Sequence, residues 1–195
     1  MSSNSAPTRT RILEATVRML EAHGGRGVRM GDIARAAGVS RQAVYLHFAT
    51  RTELLVAATR HLDAQLDLDG RLARSRAAGS GVERLHRYIE FWGDYVPRIH
   101  AVARALLAAR DTDEAAAAAW GDRMAALRDG CRAAVEALRD DGALAAGWSA
   151  DSATDVLWTL LLVPSWEHLT RDCGWTGAEY VARMKTLASR ALVAG

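Results

Sequence analysis

The sequence predicts an all-α protein, and three observations carry that prediction. Alanine, the best helix former, supplies 39 of 195 residues, against only three prolines. Apolar residues recur at helical spacing, as in Leu13, Val17 and Leu20 with Ile12 and Met19 beside them. Breaks such as His23-Gly24-Gly25, Gly38 and Asp140-Asp141-Gly142 close the stripes where helices end.

The elements follow in order. Residues 1–7 read as a disordered tail, and a first helix runs from Thr8 to Ala22. A short second helix spans about Gly31 to Ala37 and stops at Gly38. Ser40 reads as the N-cap of a third helix, Arg41 to Phe48, because its hydroxyl can accept from an orphan N–H. Thr50-Arg51-Thr52-Glu53 has the form of a capping box opening a fourth helix to Leu66. The polar stretch 67–81, rich in Gly, Ser and Arg, reads as a linker. Further helices are expected at 82–95, 97–110, 113–140, 150–172 and 177–193. Pro97 would open the second of these, and Pro164 would kink the fourth. The predicted organisation is therefore a helical domain at 8–66, a linker at 67–81 and a second helical domain at 82–195.

Several function classes drop out. No run approaches the ~18 apolar residues of a membrane span, and Met1 to Arg11 lacks the apolar stretch of a signal peptide, so a cytoplasmic protein is expected. Cys131 and Cys173 are far apart and cannot form a disulfide scaffold or a multi-cysteine zinc site. There is no glycine-rich phosphate loop, no His-Glu-x-x-His pair and no nucleophile elbow, so no enzyme, cofactor or metal is implied. Cys131 lies between Arg128 and Arg132, which could activate a thiol; a buried structural cysteine is the alternative. The net charge of +2 conceals an asymmetry. Residues 1–66 hold nine arginines against five acids, while the rest holds sixteen basic against eighteen acidic residues. A basic first third permits a polyanionic partner.

The segment from Ile33 to Phe48 is the most informative. Two short helices crossing steeply need a small residue at the contact, and Ala34 supplies it. The turn needs a residue at ease with positive φ, and Gly38 supplies that. Val39 and Val44 would fill the wedge between the helices. The second helix, about 12 Å long at ~1.5 Å per residue, suits a major groove ~12 Å wide.

Through Ile33-Ala34, Ala37-Gly38-Val39-Ser40, Tyr45, His47-Phe48 and the Arg51/Leu54 region, residues 8–66 resemble the DNA-binding domain of the tetracycline-repressor (TetR) family. The resemblance implies an N-terminal three-helix helix-turn-helix domain followed by a helical ligand-binding and dimerisation domain. It also implies a regulator, a repressor released from double-stranded operator DNA by a small hydrophobic or aromatic ligand. Control by a protein partner, or no small effector at all, is the alternative. Two positions depart from the family pattern. Arg29 stands where a Ser or Thr cap is usual, and Gly31 stands where a basic residue is common.

Candidate DNA contacts are Ser40, Arg41, Gln42, Ala43, Tyr45, His47 and Arg51. Arg41 can pair with guanine O6 and N7, Gln42 with adenine N6 and N7, and Ala43 with a thymine methyl. By the family resemblance Tyr45, His47 and Arg51 would reach phosphates, with Phe48 in the core; a core aromatic for Tyr45 and a solvated helix surface for Arg41, Gln42 and His47 are the competing readings. In the second domain, Trp92, Tyr95, Trp120, Met124, Leu127, Trp158 and Leu162 are candidate ligand contacts, since aromatic rings with a Met suit planar or cationic ligands. Ordinary core packing is the competing reading for each. The family layout makes Val156, Leu160, Tyr180, Met184, Leu187 and Ala191 a candidate homodimer interface; their own domain's core is again the alternative.

Overall fold

The computed structural model describes residues 5–195. Among these residues the regular elements are helical, with one isolated bridge between Leu144 and Val193. The helices are α1 (Ser5–Ala22), α2 (Met30–Ala36), α3 (Arg41–His47), α4 (Arg51–Gln65), α5 (Leu68–Arg76), α6 (Gly81–Ala109), α7 (Glu114–Asp140), α8 (Ala150–Leu160), α9 (Val163–Glu167) and α10 (Gly177–Leu192). A π-helical turn, His168–Asp172, follows α9 directly. The expected tail at residues 1–4 lies outside the described residues, and α1 begins at Ser5, inside the segment read as tail.

The described residues form two compact units. The first comprises the chain to Leu66 together with Ile99–Asp122; the second comprises Asp67–Arg98 and Arg123–Gly195. This division differs from the 8–66 and 82–195 domains read from sequence. A long-range bond lies within the first unit. Thr52 Oγ1 donates to Asp113 Oδ2 at 2.6 Å, while Asp113 Oδ1 accepts from Ala116 N at 3.0 Å and caps α7.

In the first unit α1 packs on α2 and α4, and α2 packs on α3. The stripe read from sequence is the buried one: Ile12, Leu13, Val17 and Leu20 face inward, joined by Leu54, Leu55, Ala58 and Leu62 of α4. In the second unit α10 packs on α8 and on the π-helical turn, and its buried face is Tyr180, Met184, Ala188 and Leu192. Tyr88 Oη donates to the Leu127 carbonyl at 3.1 Å, joining α6 to α7 within that core.

Three expected elements are corrected. The linker at 67–81 contains helix α5, capped by Asp67, whose carboxylate accepts from Gly70 N at 3.3 Å. Arg71 forms an ion pair with Asp94, and buried Ser75 donates to the Arg84 carbonyl at 3.1 Å. Polar composition hid a helix held by tertiary partners. The break before Pro97 is absent: α6 runs through it as one 29-residue helix. Pro97 is exposed, and the buried residues Trp92, Val96, Ile99 and Val102 around it hold the helix together. The expected kink at Pro164 is instead an interruption. Leu162 is extended (ψ 144°), and α9 restarts with Pro164 in its first turn, where no N–H is needed.

Candidate nucleic-acid interface

Helix α3 is built to show one face. Val44 and Phe48, four residues apart, are 0% and 1% exposed and fix it to the unit. The Arg9 guanidinium lies over the Phe48 ring, 5.1 Å from its centroid. Ser40 is the N-cap: its Oγ accepts from Ala43 N at 3.1 Å, leaving its own O–H free to donate outward. Gly38 takes φ +64° in the turn, which a β-carbon would resist. Ala34 is buried where α2 meets α3; Val44 fills the wedge, whereas Val39 is only half-buried.

The opposite face of α3 carries Arg41, Gln42, Tyr45 and Leu46, all exposed. Arg41 Nη2 donates to Tyr45 Oη at 3.4 Å and its guanidinium lies 5.5 Å from the centre of that ring. The hydrogen bond to Tyr45 raises the Arg41 pKa above its usual value, so the side chain is a permanent cation. Leu46, 81% exposed, escaped the sequence reading. The spacing could have found it: with Val44 and Phe48 inward, the residue midway between them must face out.

Beside α3 an open groove of about 730 Å³ is lined by residues 27–32 with Arg35, Arg41, Tyr45 and Arg51. Four of these residues are arginines, and the single acid, Asp32, is engaged by Arg35 at 3.3 Å. Arg51 Nε donates to the Val28 carbonyl at 3.3 Å, so this arginine also ties α4 to the segment entering α2. Its Nη groups remain for an external anion. Arg29 is the α2 N-cap and makes no side-chain cap bond, leaving its charge in the groove. Arg35 is a second cation absent from the sequence-based set. Ala43 and His47 are half-buried, and the His47 ring packs 6.4 Å from that of Phe48.

An exposed helix with a bidentate donor, an amide and a cationic groove can read base edges and hold phosphates. Comparison with known proteins reaches the same segment. Residues 12–58 match the profile of bacterial regulatory proteins, tetR family. That segment is a tetR-family domain. The transcriptional regulator BetI of Agrobacterium fabrum is 37% identical over 71 residues, 36% of this chain and 34% of BetI. SrpR of Pseudomonas putida is 37% identical over 68 residues, 35% of this chain and 32% of SrpR. The match thus spans about a third of the length of these curated relatives. Solved structures share the whole fold. A Saccharomonospora viridis protein described as a transcriptional regulator, and solved in complex with choline, has a TM-score of 0.81 and 20% identity over 96% of this chain and 98% of its own. A TetR-family regulator from Agrobacterium tumefaciens has a TM-score of 0.76 and 16% identity over 98% and 100%.

Outside the tetR-family domain, the candidate ligand residues are shared between the two units. Trp120 falls in the first unit and the other six in the second. Trp92, Tyr95 and Leu127 are buried there; Met124, Trp158 and Leu162 are half-buried. Arg128 lies over the Trp158 ring at 5.9 Å while binding Asp155 at 2.7 Å. The buried Trp158 indole nitrogen has no hydrogen-bond partner. Tyr95 accepts from Arg123 at 2.6 Å.

The dimer candidates divide too. Tyr180 and Met184, 0% and 2% exposed, are core residues of this chain. Helix periodicity had marked the stripe without telling which surface it meets. Leu187 is 46% exposed, and Val156, Leu160 and Ala191 are half-buried. Cys131 is buried, and burial pushes its thiol up to about 12, which ends its candidacy as an activated nucleophile.

Proposed function

We propose that this chain regulates transcription as a homodimer that binds double-stranded operator DNA through α3 and leaves it when a small molecule binds the second unit. The observation that carries the reading is the exposed Arg41, Gln42, Tyr45 and Leu46 face, set beside the groove of Arg29, Arg35, Arg41 and Arg51. Arg41 and Gln42 read bases; Tyr45, Arg29 and Arg51 hold phosphates. Two such helices must meet successive major grooves ~34 Å apart, which requires two chains. Leu187, with Val156, Leu160 and Ala191, is the part of the candidate interface open to a partner chain.

Aromatic residues of the second unit supply the sensing half, with the half-buried Trp158 and its unpartnered indole N–H as the first contact to test. The choline bound by the Saccharomonospora viridis protein of the same fold makes organic cations the first compounds to try. DNA-bound and ligand-bound states exclude each other through a reciprocal coupling of ~1–3 kcal/mol.

The test is fluorescence anisotropy of the purified protein on DNA from upstream of its own gene, across salt and with a panel of aromatic and cationic compounds. Tight, salt-sensitive binding abolished by one compound supports the reading. Tight binding that no compound alters moves control to a protein partner. Absence of any sequence-specific binding, including after selection from random DNA, overturns it.

A further inference from the structure

The DNA-binding reading leaves one cluster of reactive side chains unused, at the π-helical turn His168–Asp172. His168 Nδ1 lies 3.0 Å from Asp172 Oδ2, and His168 Nε2 lies 3.7 Å from Cys173 Sγ. The carboxylate accepts only, so it fixes the proton on Nδ1 and leaves the Nε2 lone pair facing the thiol. A nucleophile, a base within reach of it and a third group orienting the base is the arrangement that activates a nucleophile.

The backbone is what brings these three together. In an α-helix, at about 100° per residue, residues five apart point roughly 140° away from each other. Here the wider turn closes a bond from Cys173 N to the His168 carbonyl at 2.9 Å, which brings positions 168 and 173 to the same side. Asp172, four residues after His168, lies on that side as well. Gly174 (φ +75°) then turns the chain away. All three side chains are exposed, so a reagent reaches the sulfur without opening the fold.

We infer that Cys173 is a covalent modification site for soft carbon electrophiles of the enone or quinone class, with His168 as the proton carrier. The thiol proton passes to His168 Nε2 as Sγ attacks the β-carbon. The S–C bond forms, and the π pair of the C=C bond moves to the α-carbon. The imidazolium returns the proton to that carbon, so the adduct is a neutral thioether and no oxidant is consumed. The other cysteine, Cys131, is buried, so Cys173 has no accessible thiol of its own chain with which to form a disulfide. Asp172 acts through His168 as a positioning residue. This inference stands apart from the DNA-binding reading.

The experiment is stopped-time labelling of the folded protein with N-ethylmaleimide at neutral pH, read by peptide mass spectrometry, with N-acetylcysteine as the reference thiol. General-base assistance at so open a site should make Cys173 about tenfold faster than the reference. His168→Gln should return it to the reference rate, and Asp172→Ala should lower it partway. Cys131 should stay unlabelled until the protein is denatured, and Cys173→Ser should abolish labelling of the folded chain. A wild-type rate no greater than that of N-acetylcysteine overturns the inference, whatever the variants do. So does an elevated rate that His168→Gln leaves unchanged in a variant of native circular dichroism.

Discussion

Thr52 and Asp113, 61 positions apart in the chain, share a 2.6 Å hydrogen bond in which the Thr52 hydroxyl donates to the carboxylate. Thr52 sits in the first turn of α4, immediately after Arg51, and Asp113 is the residue that caps α7. The bond therefore holds the start of the helix behind α3 to a segment that is remote in sequence. It holds the Asp113 carboxyl below its ordinary range, first through Thr52 and then through the Ala116 N–H.

That shift sets a pH dependence. A carboxyl whose folded pKa is depressed stabilises the fold above its unfolded pKa and loses this effect as pH falls through the folded value. Asp113→Asn should therefore lower the urea midpoint at neutral pH. The gap between variant and wild type should close as pH drops below the usual Asp value of 3.8. A gap that persists unchanged at pH 3 would show that the carboxylate's charge is not what matters.

Arg41→Ala should weaken operator binding by ~1–3 kcal/mol and relax preference at one base position, the signature of lost base readout. Arg51→Ala should weaken all sequences alike and reduce the salt slope by about one. Because Arg51 also binds the Val28 carbonyl, its variant should in addition melt earlier, which differential scanning fluorimetry would detect.

Leu46 tests whether the exposed face is functional. At 81% exposure it makes little contribution to the core, so Leu46→Ser should change stability by no more than about 0.5 kcal/mol. Operator affinity should nevertheless fall severalfold, with the loss greatest where a thymine methyl lies opposite. Thermal melts and anisotropy on the same preparation decide it.

Gly25 should tolerate nothing larger. It adopts φ +79°, and a β-carbon there would lie 2.5 Å from the Ala101 carbonyl oxygen, a backbone atom that cannot swing aside. Gly25→Ala should cost about 1–3 kcal/mol, measurable by chemical denaturation.

Pro97 should behave in the opposite way. It lies within α6, lacks the N–H that would bond the Gly93 carbonyl, and its exposed ring packs little. Pro97→Ala should raise the melting temperature, stabilising the fold by up to the ~3 kcal/mol that separates the two residues in helix interiors. An unchanged or lower value would mean the local bend at Pro97 is needed for packing on either side of it.

Local chemistry made much of the first unit legible. The all-α class, the caps at Ser40 and Thr50, the Gly38 turn and the inward Val44 and Phe48 all follow from forces acting within a few residues, so spacing reveals them. The outward set Arg41, Gln42 and Tyr45 follows as the complement of that core. The tertiary structure decided what depends on distant partners. Helix α5 has polar composition and exists through Asp94 and Arg84, which the local sequence does not contain. Helix α6 passes Pro97 because buried residues on both sides outweigh one lost hydrogen bond. Tyr180 and Met184 lie on a stripe visible in the sequence, but only packing shows that this chain's own core covers it. The cluster of His168, Asp172 and Cys173 depends on a π-helical turn, whose extra residue per turn no hydrophobic period announces. A single chain's sequence encodes which face of a helix is apolar; what lies against that face is a property of the folded whole.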